Sequence, residues 1–273
     1  MLPPLPVVVQ KLLAKLSSDQ ANARDVAELL AADVGLVAQI MKIVNSAYYG
    51  LPHPIRDVKH AVAYLGLGEI KRVALTVSVM EQMAPEDSGE FERFWYHSFH
   101  TALTAKTVAK TFARGIDPEE LYVSALLHDV GKLVYMKFFP EHYREMMDYC
   151  TRNAAMMTQA EERLGYPSHT LFGAVLCDRW LFAEPVRDAC RCHELEDLQR
   201  INADPSVDSD DLRVICVSNL LGNLVGQGLS VKLNDEIQTE VIRALGCSGD
   251  EFVLLMGEVH QLKSEVEQFV RGF

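Results

Sequence analysis

The sequence lacks any apolar run that approaches the roughly 20 residues of a membrane-spanning helix. Its N-terminus, Met1-Leu-Pro-Pro-Leu-Pro, also lacks the basic and then apolar layout of a secretory signal peptide. We therefore expect a cytoplasmic protein that has no membrane partner.

Paired cysteines are lacking as well. None of the six cysteines belongs to a C-x-x-C pair, and the sequence has no glycine-rich loop of the kind that cradles a phosphate. Most of the cysteines lie in apolar or helical surroundings. This placement predicts free, buried thiols in a reducing compartment.

Positive charge is scarce, because 26 Lys and Arg face 38 Asp and Glu and give a net charge of −12. Such a balance argues against general nucleic-acid binding. The acidic excess lies beyond the first lobe, since residues 1–80 hold eight Lys or Arg and six Asp or Glu. This asymmetry predicts two lobes with different surfaces.

The alternation typical of half-buried strands is absent, and no repeat of solenoid length occurs. Apolar residues instead recur at helical spacing through most of the chain. The sequence therefore predicts an all-α protein of two lobes, residues 1–85 and 86–273, which meet near the turn-rich segment 84–90. The polar segment 195–210 is expected to be a mobile loop.

One stretch carries a chemical signal, because an apolar run from Val123 to Leu127 ends in His128-Asp129. Burying an imidazole beside a carboxylate is unfavourable unless both groups find partners. A divalent metal would satisfy both, and a buried His-Asp hydrogen bond is the alternative. The following Lys132 is interpreted as a surface residue at a helix end, or else as a group that stabilises developing negative charge.

Other histidines stand in apolar helical surroundings and come from different predicted helices. His97, His169 and His193 are expected to face inward together with His128 and Asp129. Metal sites in helical proteins are built in this way, from side chains that converge across a bundle. His100, one turn after His97, is expected to support the site or to lie on the surface.

The order of several motifs resembles the HDOD family, which is related to the HD-GYP enzymes and other metal-dependent phosphohydrolases. The resemblance covers about residues 2–225, and C-terminal helices follow it. It implies an N-terminal helical lobe, an HD-type lobe and a role in bacterial signalling. The motifs that carry it are Leu2-Pro-Pro-Leu-Pro, Asn45-Ser-Ala-Tyr-Tyr-Gly50, Tyr64-Leu-Gly-Leu-Gly68, Phe94-Trp-Tyr-His-Ser98, Ala125-Leu-Leu-His-Asp-Val-Gly-Lys-Leu133 and the stretch from Leu164 to Glu194.

The resemblance also implies a set of metal ligands. His97, His128 and Asp129 match the first three ligands of catalytic HD enzymes, and a later Asp is expected within 214–220. Asn219 stands there instead, and its neutral amide should weaken metal binding.

Two further histidines extend this implied ligand set. His169 and His193 resemble the additional histidine ligands of the HD-GYP enzymes. Cys192 replaces one more of those histidines, either as a thiolate ligand or as a neutral thiol.

Two functions follow from these residues. The first is a signalling module that keeps a degenerate metal site and acts through protein partners. The alternative is a metal-dependent phosphohydrolase or phosphodiesterase that acts on a nucleotide or cyclic nucleotide. In that enzyme Asp129 and Lys132 would be catalytic, and the metal would be Fe, Mn, Zn or Mg. Asn219 places catalysis in doubt.

Overall fold

The computed structural model describes residues 2–16, 22–85, 88–113, 115–204, 210–226 and 228–271. Within these ranges the chain forms α-helices and one short 3-10 helix, and it contains no strand. The predicted all-α class is therefore confirmed. None of the described helices is both long and apolar enough to cross a membrane.

The chain divides into two compact units, residues 1–84 with 264–273, and residues 85–263. Residues 264–271 had been expected in the second lobe, but they pack with the first unit. The reason is apolar burial, since Val266 and Phe269 are 0% and 4% exposed. The Phe269 ring meets the Tyr48 ring edge-on at 4.6 Å between centroids.

The first unit is built from helices whose starts are set by capping side chains. Asn22, Asp33 and Asp57 each accept a backbone N–H from the first turn of the helix that follows. Its elements are α1 (Val7–Leu16), α2 (Ala23–Leu30), α3 (Val34–Val44), the 3-10 helix Ala47–Tyr49 and α4 (Val58–Met83). Gly66 has φ of 85° and interrupts α4 with a kink.

Asn45 fixes the irregular loop that follows α3. Its side-chain amide donates to the carbonyl oxygens of Met41 and Ile55, each at 2.9 Å. Its Oδ1 accepts the Ile55 N–H at 2.7 Å. The Asn45 side chain therefore supplies hydrogen bonds to backbone groups of the loop that have no partner in a helix.

The second unit carries the histidines. Its helices are α5 (Ser88–Phe112), α6 (Pro118–Leu127), α7 (Val130–Phe138), α8 (Pro140–Asn153), α9 (Met157–Leu164), α10 (His169–Trp180), α11 (Glu184–Arg191), α12 (Leu195–Ala203), α13 (Asp210–Gly226), α14 (Val231–Leu245) and most of α15 (Gly249–Val270).

The expectation of a loop over 195–210 was wrong for residues 195–203, which form α12. Leu195, Leu198 and Ile201 recur at helical spacing and are buried. The Glu194 N–H donates to Asp197 Oδ2 at 3.1 Å and secures the first turn. The many acidic residues of this segment made its apolar spacing hard to recognise in the sequence. Residues 205–209 of the expected loop lie outside the described residues.

Candidate metal centre

His128 and Asp129 lie in the turn between α6 and α7, and both are fully buried. The Nδ1–H of His128 donates to the Ala125 carbonyl oxygen at 2.6 Å. A neutral His128 therefore presents the lone pair of Nε2, which lies 3.3 Å from Asp129 Oδ2. Among the described residues, neither Nε2 of His128 nor Oδ1 of Asp129 has a hydrogen-bond partner. A simple His-Asp hydrogen bond would need an additional proton on Nε2.

Asp129 is the common member of two groups of side chains. Its Oδ1 lies 3.4 Å from His169 Nε2 and 3.2 Å from His193 Nε2. Its Oδ2 lies 3.4 Å from His97 Nε2 and 2.6 Å from the Lys132 ammonium nitrogen. The two oxygens of one buried carboxylate therefore face two different environments.

The Oδ1 group, which we name the Glu194 set, consists of Asp129, His169, His193 and Glu194. The two Nε2 atoms are 3.1 Å apart, and Glu194 Oε1 lies 3.3 Å from His169 and 3.2 Å from His193. Ligands about 2.1 Å from a shared metal ion would be about 3.0 Å apart at right angles and about 3.4 Å apart at tetrahedral angles. The spacing of these four side chains fits a metal ion.

Outer partners fix the direction of both imidazoles in the Glu194 set. Glu161 Oε1 accepts from His169 Nδ1 at 2.8 Å and from the His169 backbone N–H at 2.7 Å. His193 Nδ1 donates to the Ala189 carbonyl oxygen at 2.8 Å. Metal-binding histidines are typically held in this way, with the remote nitrogen bonded to a carboxylate or carbonyl. Both Nε2 lone pairs then converge on the carboxylates.

The electrostatics of this cluster call for positive charge. Burial alone would lower the pKa of His193, but the hydrogen bonds and charges of Asp129 and Glu194 outweigh it and raise the pKa to about 9. Burial likewise opposes protonation of His169, yet Glu161 and Asp129 raise its pKa well above the ordinary value. The converging acceptors therefore need protons or a metal ion between them.

The Oδ2 group, which we name the His97 side, consists of His97, His128 and Asp129 with the neighbouring Asn219 and Lys132. Asn219 Nδ2 donates to the His193 carbonyl oxygen at 2.9 Å, which turns Oδ1 toward His97 Nε2 at 3.0 Å. Asn219 therefore contacts the His97 ring and the backbone of His193.

Lys132 is not the surface residue that we expected. Its side chain is 14% exposed, and its ammonium bonds Asp129 inside the centre. Burial opposes the charge, but Asp129 and Glu194 outweigh it and raise the pKa of Lys132. The position one turn after Asp129 brings the ammonium back onto that carboxylate.

Close backbone contact brings α10 against α7. A Cβ on Gly131 would lie 1.9 Å from the His169 carbonyl oxygen and 2.5 Å from the Gly173 nitrogen. Glycine at 131 therefore lets the start of α10, which carries His169, approach Asp129. A Cβ on Gly222 would lie 3.3 Å from the His97 ring, so α13 also packs tightly against the centre.

Two residues near the histidines lie outside the centre. Cys192 Sγ accepts a hydrogen bond from Arg200 at 3.5 Å, and burial raises the pKa of its thiol. Burial and the charge of Asp197 outweigh the Arg200 guanidinium and favour the neutral thiol over the thiolate ligand. His100 is buried and its Nε2 bonds the Val259 carbonyl oxygen at 3.0 Å.

Sequence reasoning missed Glu194 and Glu161. The position of Glu194 directly after His193 was an available signal. Glu161 gave none, since its link to His169 depends on how α9 meets α10.

A cavity of about 900 Å³ opens onto the centre. His97, Asp129, Lys132 and Glu194 line it, and methionines form part of its wall. The centre can therefore be reached by a small molecule as well as by an ion.

A family model described as the HDOD domain matches residues 2–195. An uncharacterized protein of Treponema pallidum (strain Nichols) is 24% identical over 192 residues, which make up 70% of this chain and 37% of that protein. The chain covers well under two thirds of the length of the curated relatives it matches.

Three solved structures share the fold. An HDOD domain protein of unknown function from Geobacter sulfurreducens has a TM-score of 0.74 and 25% identity, covering 99% of this chain and 92% of that one. A candidate phosphohydrolase from Shewanella amazonensis SB2B has a TM-score of 0.71 and 18% identity, covering 99% of this chain and 94% of that one. A candidate signal transduction protein from Marinobacter aquaeolei VT8 has a TM-score of 0.76 and 21% identity, covering 99% of this chain and 59% of that one.

Proposed function

Because this chain belongs to the HDOD domain family, we propose that it is a bacterial signal-transduction module. In this proposal the HD-type centre binds a divalent metal without efficient hydrolysis, and the module acts in the cytoplasm through protein partners. The Marinobacter aquaeolei neighbour, a candidate signal transduction protein, agrees with this function. The free cysteines of this chain agree with the compartment.

The contact between Asn219 and His97 carries the proposal. In a catalytic HD centre a carboxylate would stand beside the first histidine, whereas here a neutral amide oxygen lies 3.0 Å from His97 Nε2. The amide can accept the Nε2–H of His97, which satisfies both groups without an ion. Among the described residues, the carboxylate found in the metal-ligand group on this side is Asp129, and the Lys132 ammonium already neutralises its Oδ2 at 2.6 Å.

A phosphohydrolase is the second candidate, and the cavity favours it. The cavity of about 900 Å³ gives access to Asp129, His97 and Lys132. A bound divalent ion would supply Lewis acidity and an activated water. Lys132 would hold a substrate phosphate, and the buried Asp129 would orient the ligands around it. A nucleotide or cyclic nucleotide would fit such a site.

One set of measurements separates the two functions. The purified chain is analysed for bound metal and assayed for phosphodiesterase activity on cyclic dinucleotides with added Mn²⁺ or Fe²⁺. His128→Ala and Asp129→Ala are tested in parallel, with the exposed His260→Ala as the matched control.

We expect no turnover that depends on His128 and Asp129. Hydrolysis by the parent chain and by His260→Ala, lost in both centre variants, would establish the enzyme instead. Asn219→Asp restores the missing carboxylate, so a gain of hydrolysis in that variant would support the role assigned to Asn219.

A further inference from the structure

The two sides of Asp129 differ in charge and in hydrogen bonding, and this difference indicates on which side a metal ion would bind. We propose that the centre takes a single divalent cation, held by Asp129, His169, His193 and Glu194. The Lys132 ammonium and the Asn219 amide replace a second cation on the His97 side. This inference rests on the proposed function only in assuming that the centre binds metal.

Charge is the first argument. With the outer carboxylate of Glu161, the Glu194 set carries three negative charges and Lys132 offsets one, so the remaining charge of −2 matches a divalent ion. On the His97 side the carboxylate of Asp129 is shared and is paired with Lys132 at 2.6 Å. A second divalent ion there would lie beside an ammonium group that is itself buried, where screening is weak.

Hydrogen bonding is the second argument. In the Glu194 set, Glu161 and the Ala189 carbonyl hold the Nδ1 protons, so the two Nε2 lone pairs face each other at 3.1 Å. Oδ1 of Asp129, which faces both, has no hydrogen-bond partner among the described residues. Only a cation or added protons can relieve this arrangement. On the other side, His97 and Asn219 satisfy each other at 3.0 Å.

His128 is the remaining ligand of the His97 side. Its Nε2 lone pair points at Asp129 Oδ2 from 3.3 Å and has no hydrogen-bond partner in the described part of the chain. The Nδ1–H of His128 donates to the Ala125 carbonyl oxygen, and this bond fixes the direction of the Nε2 lone pair. Removing the ammonium and restoring a carboxylate at position 219 should therefore open a second cation position.

The test uses Mn²⁺ alone as the probe, with calorimetric titration and electron paramagnetic resonance on the full chain. We expect one Mn²⁺ per chain and the spectrum of an isolated ion. Glu194→Gln should weaken binding at least about 10-fold, since loss of outer partners alone has such effects. His97→Ala, the matched variant on the opposite side, should keep one ion with unchanged affinity.

The double variant Lys132→Met with Asn219→Asp should bind two Mn²⁺ ions, which the exchange-coupled spectrum of a close pair would report. Circular dichroism checks that each variant is folded. Two ions in the parent chain, or loss of binding in His97→Ala but not in Glu194→Gln, would overturn the proposal. So would a parent chain that binds no Mn²⁺. These readouts involve no hydrolysis, so the signalling and enzyme functions stand or fall separately.

Discussion

The contact between α7 and α10 supports a prediction about Gly131. In Gly131→Ala the new Cβ would start 1.9 Å from the His169 carbonyl oxygen and 2.5 Å from the Gly173 nitrogen. Real contacts of this kind stay beyond 3.0 Å. The two helices must therefore separate by about 1 Å, because both obstacles are backbone atoms that cannot rotate away.

The expected loss of stability follows from this displacement. Overpacking of a core costs about 1–3 kcal/mol, and rigid backbone obstacles place Gly131→Ala at the upper end. Alanine's better helix preference returns about 0.5–1 kcal/mol. The net loss of about 2 kcal/mol should lower Tm by about 4–8 °C for a unit of this size.

Metal binding should fall together with stability. His169 is carried by α10, so a shift of about 1 Å moves its Nε2 away from Asp129, whereas metal–ligand distances tolerate only about 0.2 Å. We expect Mn²⁺ affinity to drop at least about 10-fold. Scanning calorimetry and Mn²⁺ titration of the same samples measure both effects.

Gly257→Ala is the matched control, since position 257 lies within α15 and a Cβ there meets nothing within 4 Å. That variant should be stabilised by about 0.5–1 kcal/mol. If Gly131→Ala melted with the parent chain and bound Mn²⁺ equally well, the close approach of α7 and α10 would not hold the centre together.

Other substitutions test separate contacts. Glu161→Gln should weaken Mn²⁺ binding about 10- to 100-fold, because it loosens the outer bond to His169. Exposed Glu162→Gln should change nothing, and equal behaviour of the two would refute the reasoning. Cys192→Ser should leave Mn²⁺ affinity unchanged, and a clear loss would make its sulfur a ligand. Asn45→Ala should destabilise the chain by about 2–3 kcal/mol through its three lost hydrogen bonds. Chemical denaturation measures the free energy of unfolding, and a loss below about 0.5 kcal/mol would contradict the role assigned to the Asn45 side chain.

Helical spacing and turn residues were sufficient to predict the fold class, and the resemblance of several motifs predicted the family. The same sequence placed His97, His128, Asp129, His169 and His193 in one set, and the structure brings them together. The apolar residues around them were the signal, because His128, His169 and His193 are buried at or next to helix ends.

The partners of those histidines could not be predicted in the same way. Lys132 looked like a helix-end residue, and its bond to Asp129 depends on the buried turn before α7. Glu161 reaches His169 only because α9 and α10 meet at that point. Short-range sequence patterns do not contain such contacts, because they arise from the packing of one helix against another.

The division of α15 affects the order in which the chain can fold during synthesis. Residues 1–84 leave the ribosome first, but Val266 and Phe269, which are buried in their unit, are added only after residues 85–263. At about 5–20 residues per second the interval is roughly 10–35 s. The N-terminal unit therefore waits for its last helical turns while the histidine-bearing unit is being synthesised.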